Sequence, residues 1–130
     1  MYTKMTTNLM VESVDKSAEF YQETLGFSVV TSVPGEDGTL QFAILSKDGQ
    51  YLMIQKRTNL IGECPSLATE KVQPSATLYI MVDDFDELYA ALKAKCGILH
   101  DVHTTFYGAK EFAVADVDGY VLTFTENRDV

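Results

Sequence analysis

Val11-Glu12-Ser13-Val14-Asp15 returns 71 residues later as Val82-Asp83-Asp84-Phe85-Asp86, and that recurrence decides the fold. In each copy a short apolar run ends at a valine and gives way to polar residues that suit a helix start. The same shift of 71 lays Leu25-Gly26-Phe27 on Cys96-Gly97-Ile98. A shift of 70 lays Phe42-Ala43 on Phe112-Ala113, Asp48-Gly49 on Asp118-Gly119, and Leu52 on Leu122. Anchors that follow in order and agree within one residue mark an internal repeat, the odd residue being absorbed in a loop.

Working outward, Thr6 to Val11 alternates polar and apolar side chains as a half-buried strand does. Val14, Ala18, Phe20, Tyr21 and Leu25 give a helical stripe that stops at Gly26. Strands are predicted over 27–33, 40–45 and 50–56, the last two joined through Lys47-Asp48-Gly49. The second copy reads as strand 77–82, helix 85–95, and strands 98–104, 111–115 and 120–126. Residues 57–74 contain Asn59, Gly62, Pro65 and Pro74, hold no sustained period, and read as a connecting loop. The fold class is therefore α+β: two tandem β-α-β-β-β modules, about 4–56 and 75–127, within one domain of 1–130.

Side chains along a strand alternate between faces. Leu9 and Val11, Leu52 and Ile54, Leu78 and Ile80, and Leu122 and Phe124 are expected to pack on the helices. The other faces carry Thr6, Asn8 and Met10; Gln41 and Ala43; Tyr51, Met53 and Gln55. In the second copy they carry Thr77, Tyr79 and Met81; Glu111 and Ala113; Val121, Thr123 and Thr125. A face mixing polar, aromatic and methionine side chains suggests the concave lining of a pocket. A solvent-exposed face or an oligomer contact are the alternatives, and clustered large apolar groups argue against plain exposure.

The bulk numbers exclude several classes. A net charge of −9 opposes nucleic-acid binding and suits a cationic ligand or plain solubility. No apolar run reaches a membrane-spanning length, and MYTKMTTNLMVES lacks a signal-peptide pattern, so a cytoplasmic protein is expected. Cys64 and Cys96 read as reduced thiols. His100 and His103, three apart in a strand, are expected on opposite faces and so not to share a metal. Asp83, Asp84 and Asp86 suit a helix start, and Asp116 and Asp118 a turn. Glu111 is the carboxylate expected to face the cavity, as an ion-pair partner for a cationic group, as a general base, or as the partner of a lysine. No Ser-His-Asp set, Cys-His pair or glycine-rich phosphate loop is found.

Asn8-Leu-Met-Val-Glu-Ser-Val-Asp-Lys-Ser-Ala-Glu-Phe-Tyr-Gln-Glu-Thr-Leu-Gly-Phe27 resembles the opening strand and helix of the glyoxalase / bleomycin resistance / extradiol dioxygenase superfamily, the vicinal oxygen chelate proteins. Tyr107-Gly-Ala-Lys-Glu-Phe-Ala-Val-Ala-Asp-Val-Asp-Gly-Tyr120 is similar to its closing motif, with Val117 where a proline is usual. The resemblance implies curved mixed sheets around a shared cavity, and commonly a homodimer. It also implies that the divalent-metal ligands of the family's enzymes, His and Glu, fall on Thr6, Met53, Thr77 and Thr123. None is a His or a carboxylate, so neither metal nor other cofactor is expected.

Three functions compete on this reading. The first is a metal-independent small-molecule binding protein, similar to the bleomycin resistance members that sequester a cationic drug. Its ligand-binding candidates are Thr6, Asn8, Gln41, Tyr51, Met53, Gln55, Thr77, Tyr79, Tyr107, Glu111, Thr123 and Thr125, with Phe106 adding a stacking surface. The second is a superfamily lyase, isomerase or dioxygenase using an unrecognised metal site or Glu111 as acid or base. The third is a module whose mixed face contacts a partner protein.

Overall fold

The computed structural model describes residues 1–127 as two compact units, the first Met1–Gln73 and the second beginning at Pro74. The first contains β1 (Asn8–Val11), α1 (Val14–Glu23), β2 (Ser28–Pro34), β3 (Leu40–Lys47), β4 (Gln50–Lys56) and α2 (Arg57–Glu63). A 3-10 turn, Pro65–Leu67, follows. The second contains β5 (Thr77–Val82), α3 (Phe85–Lys95), β6 (His100–Thr104), β7 (Lys110–Ala115) and β8 (Val121–Glu126). Each unit holds one four-stranded mixed sheet, ordered β1-β4-β3-β2 or β5-β8-β7-β6, whose outer parallel pair is β1 with β4 or β5 with β8. The fold is the tandem β-α-β-β-β arrangement expected from the repeat.

The helices form where the sequence supplies a stripe and a start. Ser13 caps α1, its Oγ accepting the Lys16 amide at 3.1 Å. Val14, Ser17, Ala18 and Tyr21 then line up as the buried face. They pack on a core that includes Val11, Leu45 and Ile54, all fully buried. In the second unit α3 buries Phe85 and Leu92. Phe112 is the hub of an aromatic cluster, edge-on to Phe85 and Tyr89 and stacked on Phe124, each ring 5.2 Å away. The closing Asp116-Val-Asp-Gly119 motif is a turn: Asp116 Oδ1 accepts the amides of Asp118 at 3.1 Å and Tyr120 at 2.9 Å.

Three sequence expectations are corrected. Residues 57–74 hold α2 and the 3-10 turn rather than a structureless loop. Seven residues are too few to show a helical period, but Leu60 is buried and tertiary contacts anchor the segment. Glu12 Oε1 accepts Arg57 Nε at 2.6 Å and the Val72 amide at 3.1 Å, while Arg57 Nη1 donates to the Thr69 carbonyl at 3.1 Å. The Arg57 hydrogen bond foremost, then the Val72 amide and the guanidinium charge, hold the Glu12 carboxyl below its ordinary range.

Gln41 and Ala43 do not share the mixed face. Cross-strand partners of an antiparallel pair lie on one face, and Ala43 pairs with Ile54 whereas Phe42 pairs with Gln55 and Ile44 with Met53. In the second unit Glu111 pairs with Thr125 and Ala113 with Thr123. The cause is the hairpin. The first has two loop residues at positive φ, Asp48 (49°) and Gly49 (78°), closed by Lys47 opposite Gln50. The second has three loop residues, Val117, Asp118 and Gly119, closed by Asp116 opposite Tyr120, with Gly119 at φ 97°. One extra residue exchanges the faces of everything before it, so the counterpart of Glu111 is Phe42.

The third correction concerns the histidines. His100 pairs with Ala113 and His103 with Glu111, a bulge between them taking up one residue of β6. Both imidazoles therefore stand on the mixed face. Leu122, fully buried beneath α3, tests the packing of the second unit. Leu122→Ala is expected to destabilise the protein by about 3 kcal/mol, measured by urea denaturation.

Candidate functional site

The mixed face of the first sheet is largely engaged by its own chain. Gln55, 5% exposed, accepts Asn8 Nδ2 through Oε1 at 2.8 Å. Its Nε2 donates to Asn59 Oδ1 at 2.7 Å and Glu63 Oε2 at 3.0 Å, both on α2. The Tyr51 ring is covered by the Lys4 ammonium, 3.2 Å from its centroid. Met53 is half-buried opposite Asn8, and Thr6 is half-buried just ahead of β1. Gln41 lies instead at an open pocket with Glu36, Asp37, Lys56, Thr58 and Asn59.

The second sheet presents a more open arrangement. Glu111, the second residue of β7 and only 6% exposed, accepts two phenols on the same oxygen, Oε2. Tyr79 on β5 donates at 2.5 Å and Tyr107, from the loop between β6 and β7, at 2.8 Å. Around this buried carboxylate the surface is aromatic and apolar: Tyr79 is 56% exposed, Phe106 fully exposed, and Met81 and Tyr107 also open. Phe106 and Tyr107 meet edge to face, 5.0 Å between centroids. Thr123 faces Tyr79 across the parallel pair and Ala113 across the antiparallel one. Thr125 is buried, its hydroxyl donating to the Lys110 carbonyl at 3.3 Å, and Thr77 is exposed at the start of β5.

Beside Glu111 lies an open pocket of about 560 Å³, lined by Leu99, His100, Asp101, His103, Glu111, Ala113 and Thr123. Asp101 Oδ1 accepts the Tyr89 hydroxyl at 2.6 Å and the Val102 amide at 2.8 Å. These bonds, Tyr89's first, with the Lys93 charge, keep the Asp101 carboxyl below its usual range. The Glu111 hydrogen bond, then the Tyr79 hydroxyl, desolvation and the Glu111 charge, push Tyr107 up to about 12, with Thr105 opposing.

Of the predicted site residues, Tyr79, Tyr107, Glu111 and Thr123 come together in the second unit, and Asn8, Met53 and Gln55 in the first. His100, His103, Asn59 and Glu63 were missed. The bulge that turns the histidines and the helix that carries the last two depend on long-range pairing that spacing does not reveal. Thr6, Met53, Thr77 and Thr123 do not fit a divalent ion: three hydroxyls and a thioether supply neither imidazole nor carboxylate. Among the described residues no group of three or more His, Cys, Asp or Glu is placed to hold a metal, and no helix is long and apolar enough to cross a membrane. Cys64 and Cys96 are free thiols, Cys96 raised by burial.

The sequence model of the Glyoxalase/Bleomycin resistance protein/Dioxygenase superfamily matches residues 5–124, and the chain belongs to that superfamily. No curated protein is matched. Among solved structures the chain is similar to a glyoxalase-related enzyme from Fulvimarina pelagi, with 23% identity, 98% of this chain and 89% of that one covered, and a TM-score of 0.77. It is also similar to TioX from Micromonospora sp. ML1, with 19% identity, coverage of 98% and 100%, and a TM-score of 0.73. A lactoylglutathione lyase from Agrobacterium tumefaciens shares 18% identity over 96% and 93% of the chains, with a TM-score of 0.71. At such identities the likeness is one of fold.

Two outcomes test the site. Tyr107 is expected to ionise near pH 12 rather than at its ordinary 10.0, and Glu111→Gln to bring it back toward that value, read at 295 nm as wild type minus Tyr107→Phe. Because the folded state holds the phenol proton more tightly, this stabilisation is complete below pH 10.0 and fades as pH rises toward about 12. Gln55→Ala, which removes a buried amide and its hydrogen bonds to Asn8, Asn59 and Glu63, is expected to cost about 2 kcal/mol in chemical denaturation.

Proposed function

We propose that this chain is a metal-independent small-molecule binding protein of the glyoxalase/bleomycin resistance type, sequestering a cationic or aromatic ligand as a cytoplasmic homodimer. The observation that carries the reading is the chemistry at the four positions where the resemblance puts the enzymes' metal ligands: Thr6, Met53, Thr77 and Thr123. A site meant for Zn, Ni, Mn or Fe needs imidazole or carboxylate there, and these side chains bind such ions poorly. The exposed Tyr79, Met81, Phe106 and Tyr107 support the binding half of the proposal, since open aromatic and thioether groups suit flat ligands. The net charge of −9 favours a cation.

Protein purified without chelator, then exposed to Zn, Ni, Mn and Fe and desalted, is expected to carry no stoichiometric metal by mass spectrometry. About one tightly held ion per chain would overturn metal independence and make a superfamily enzyme the better reading. A thermal-shift screen of cationic aromatics is expected to return stabilising ligands, and light scattering a mass of two chains.

A further inference from the structure

Glu111 is a buried carboxylate without a counter-ion among the described residues. Its two partners are neutral phenols, both on Oε2. A carboxylate has about four lone-pair sites, and Oε1 takes no bond from any described residue. No buried side-chain oxygen or nitrogen among those residues lacks a partner, so Oε1 is reachable from outside. The neighbouring Lys110 cannot neutralise it. That side chain leaves β7 on the opposite face, with its ammonium 3.1 Å from Asp86 and 5.0 Å from the centre of the Phe85 ring. Among the described residues no Lys or Arg lines the pocket beside Glu111.

What the pocket offers is acceptors. Asp101 adds a second carboxylate to the lining. His103 Nδ1 lies 2.9 Å from the Asp101 carbonyl, and a carbonyl only accepts, so Nδ1 carries the hydrogen. In the neutral ring that leaves Nε2 as an acceptor. The β6 bulge is what puts this imidazole directly opposite Glu111 and His100 on the same face, opposite Ala113. Buried charge without a partner is costly, and a ligand cation with its own N–H groups supplies both the charge and the donors.

We propose that Glu111, with His103 opposite and His100 beside it, is the receptor for an N–H-bearing cation on the ligand, an amidinium, guanidinium or primary ammonium group, whose flat body lies against Tyr79 and Tyr107. This rests on the small-molecule-binding reading and deepens it. It separates ligands that donate hydrogen bonds from quaternary cations, which do not.

The test is calorimetric titration with three near-isosteric probes: 2-naphthamidine (cationic), 2-naphthamide (neutral) and 2-naphthoate (anionic). The amidine is expected to bind at least about tenfold tighter than the amide, the range of a charge-assisted hydrogen bond. Glu111→Gln, which keeps the shape and still accepts the phenols, is expected to erase that preference, the amidine then binding no tighter than the amide. His103→Ala is expected to reduce the preference by about threefold or more. Equal binding of amidine and amide overturns the cation receptor but leaves the broader binding reading standing, because the amide still binds. Failure of the amidine to bind also overturns it, and the ligand screen then judges the broader reading separately. Tightest binding by naphthoate, and only with Zn²⁺ present, would place a metal ion in the pocket and overturn it too.

Discussion

Cross-strand register is the constraint on which the chemistry of this protein depends. The side-chain period of a strand is two, so a hairpin longer by one residue moves every preceding side chain to the other face. The first module turns over Asp48 and Gly49 alone, whereas the second inserts a further residue and closes through Gly119 at φ 97°. Phe42 in one sheet accordingly stands where Glu111 stands in the other, opposite Gln55 and Thr125 respectively. Two modules that read as copies along the chain thus present different faces.

The difference carries through to energetics. In the first sheet the polar member is Gln55, tied at both ends of its amide to Asn8, Asn59 and Glu63. An amide saturated in this way rigidifies its surroundings and has little left to offer a ligand. In the second sheet the polar member is Glu111, a carboxylate whose partners among the described residues are two phenols. A buried charge so placed is stabilised in part by hydrogen bonding, and its free oxygen remains an acceptor. The same sheet carries the β6 bulge that brings the His100 and His103 imidazoles onto the face of Glu111.

Membership of the superfamily fixes the scaffold and leaves the activity to particular side chains. Thr6, Met53, Thr77 and Thr123, where the resemblance puts the metal ligands of the family's enzymes, supply neither imidazole nor carboxylate. The closing Asp-Val-Asp-Gly motif, by contrast, is structural here: Asp116 gathers the amides of its own turn. Motif residues of one family can therefore serve folding in one place and be replaced in another, and only the contacts tell which.

Much of the architecture was legible from the sequence because its causes are local. The β4 and β5 spans and α3 match the expected limits residue for residue, since alternation, the Ser13 and Asp84 starts and the glycine stops act within a few positions. Glu111 and Tyr79 were also legible, as polar and aromatic members of alternating strands, and Tyr107 as part of the closing motif. Three features were not. The length of each hairpin loop decided the face of Gln41 and Ala43, the bulge decided the face of His103, and packing on Leu60 with the Glu12–Arg57 pair decided that 57–63 is helical. Each depends on which residue lies opposite which across the fold. The sequence by itself determined the strands and helices of the repeat; the tertiary pairing decided α2 and which side chains share a face, because a single residue of register reverses a strand while leaving its local pattern intact.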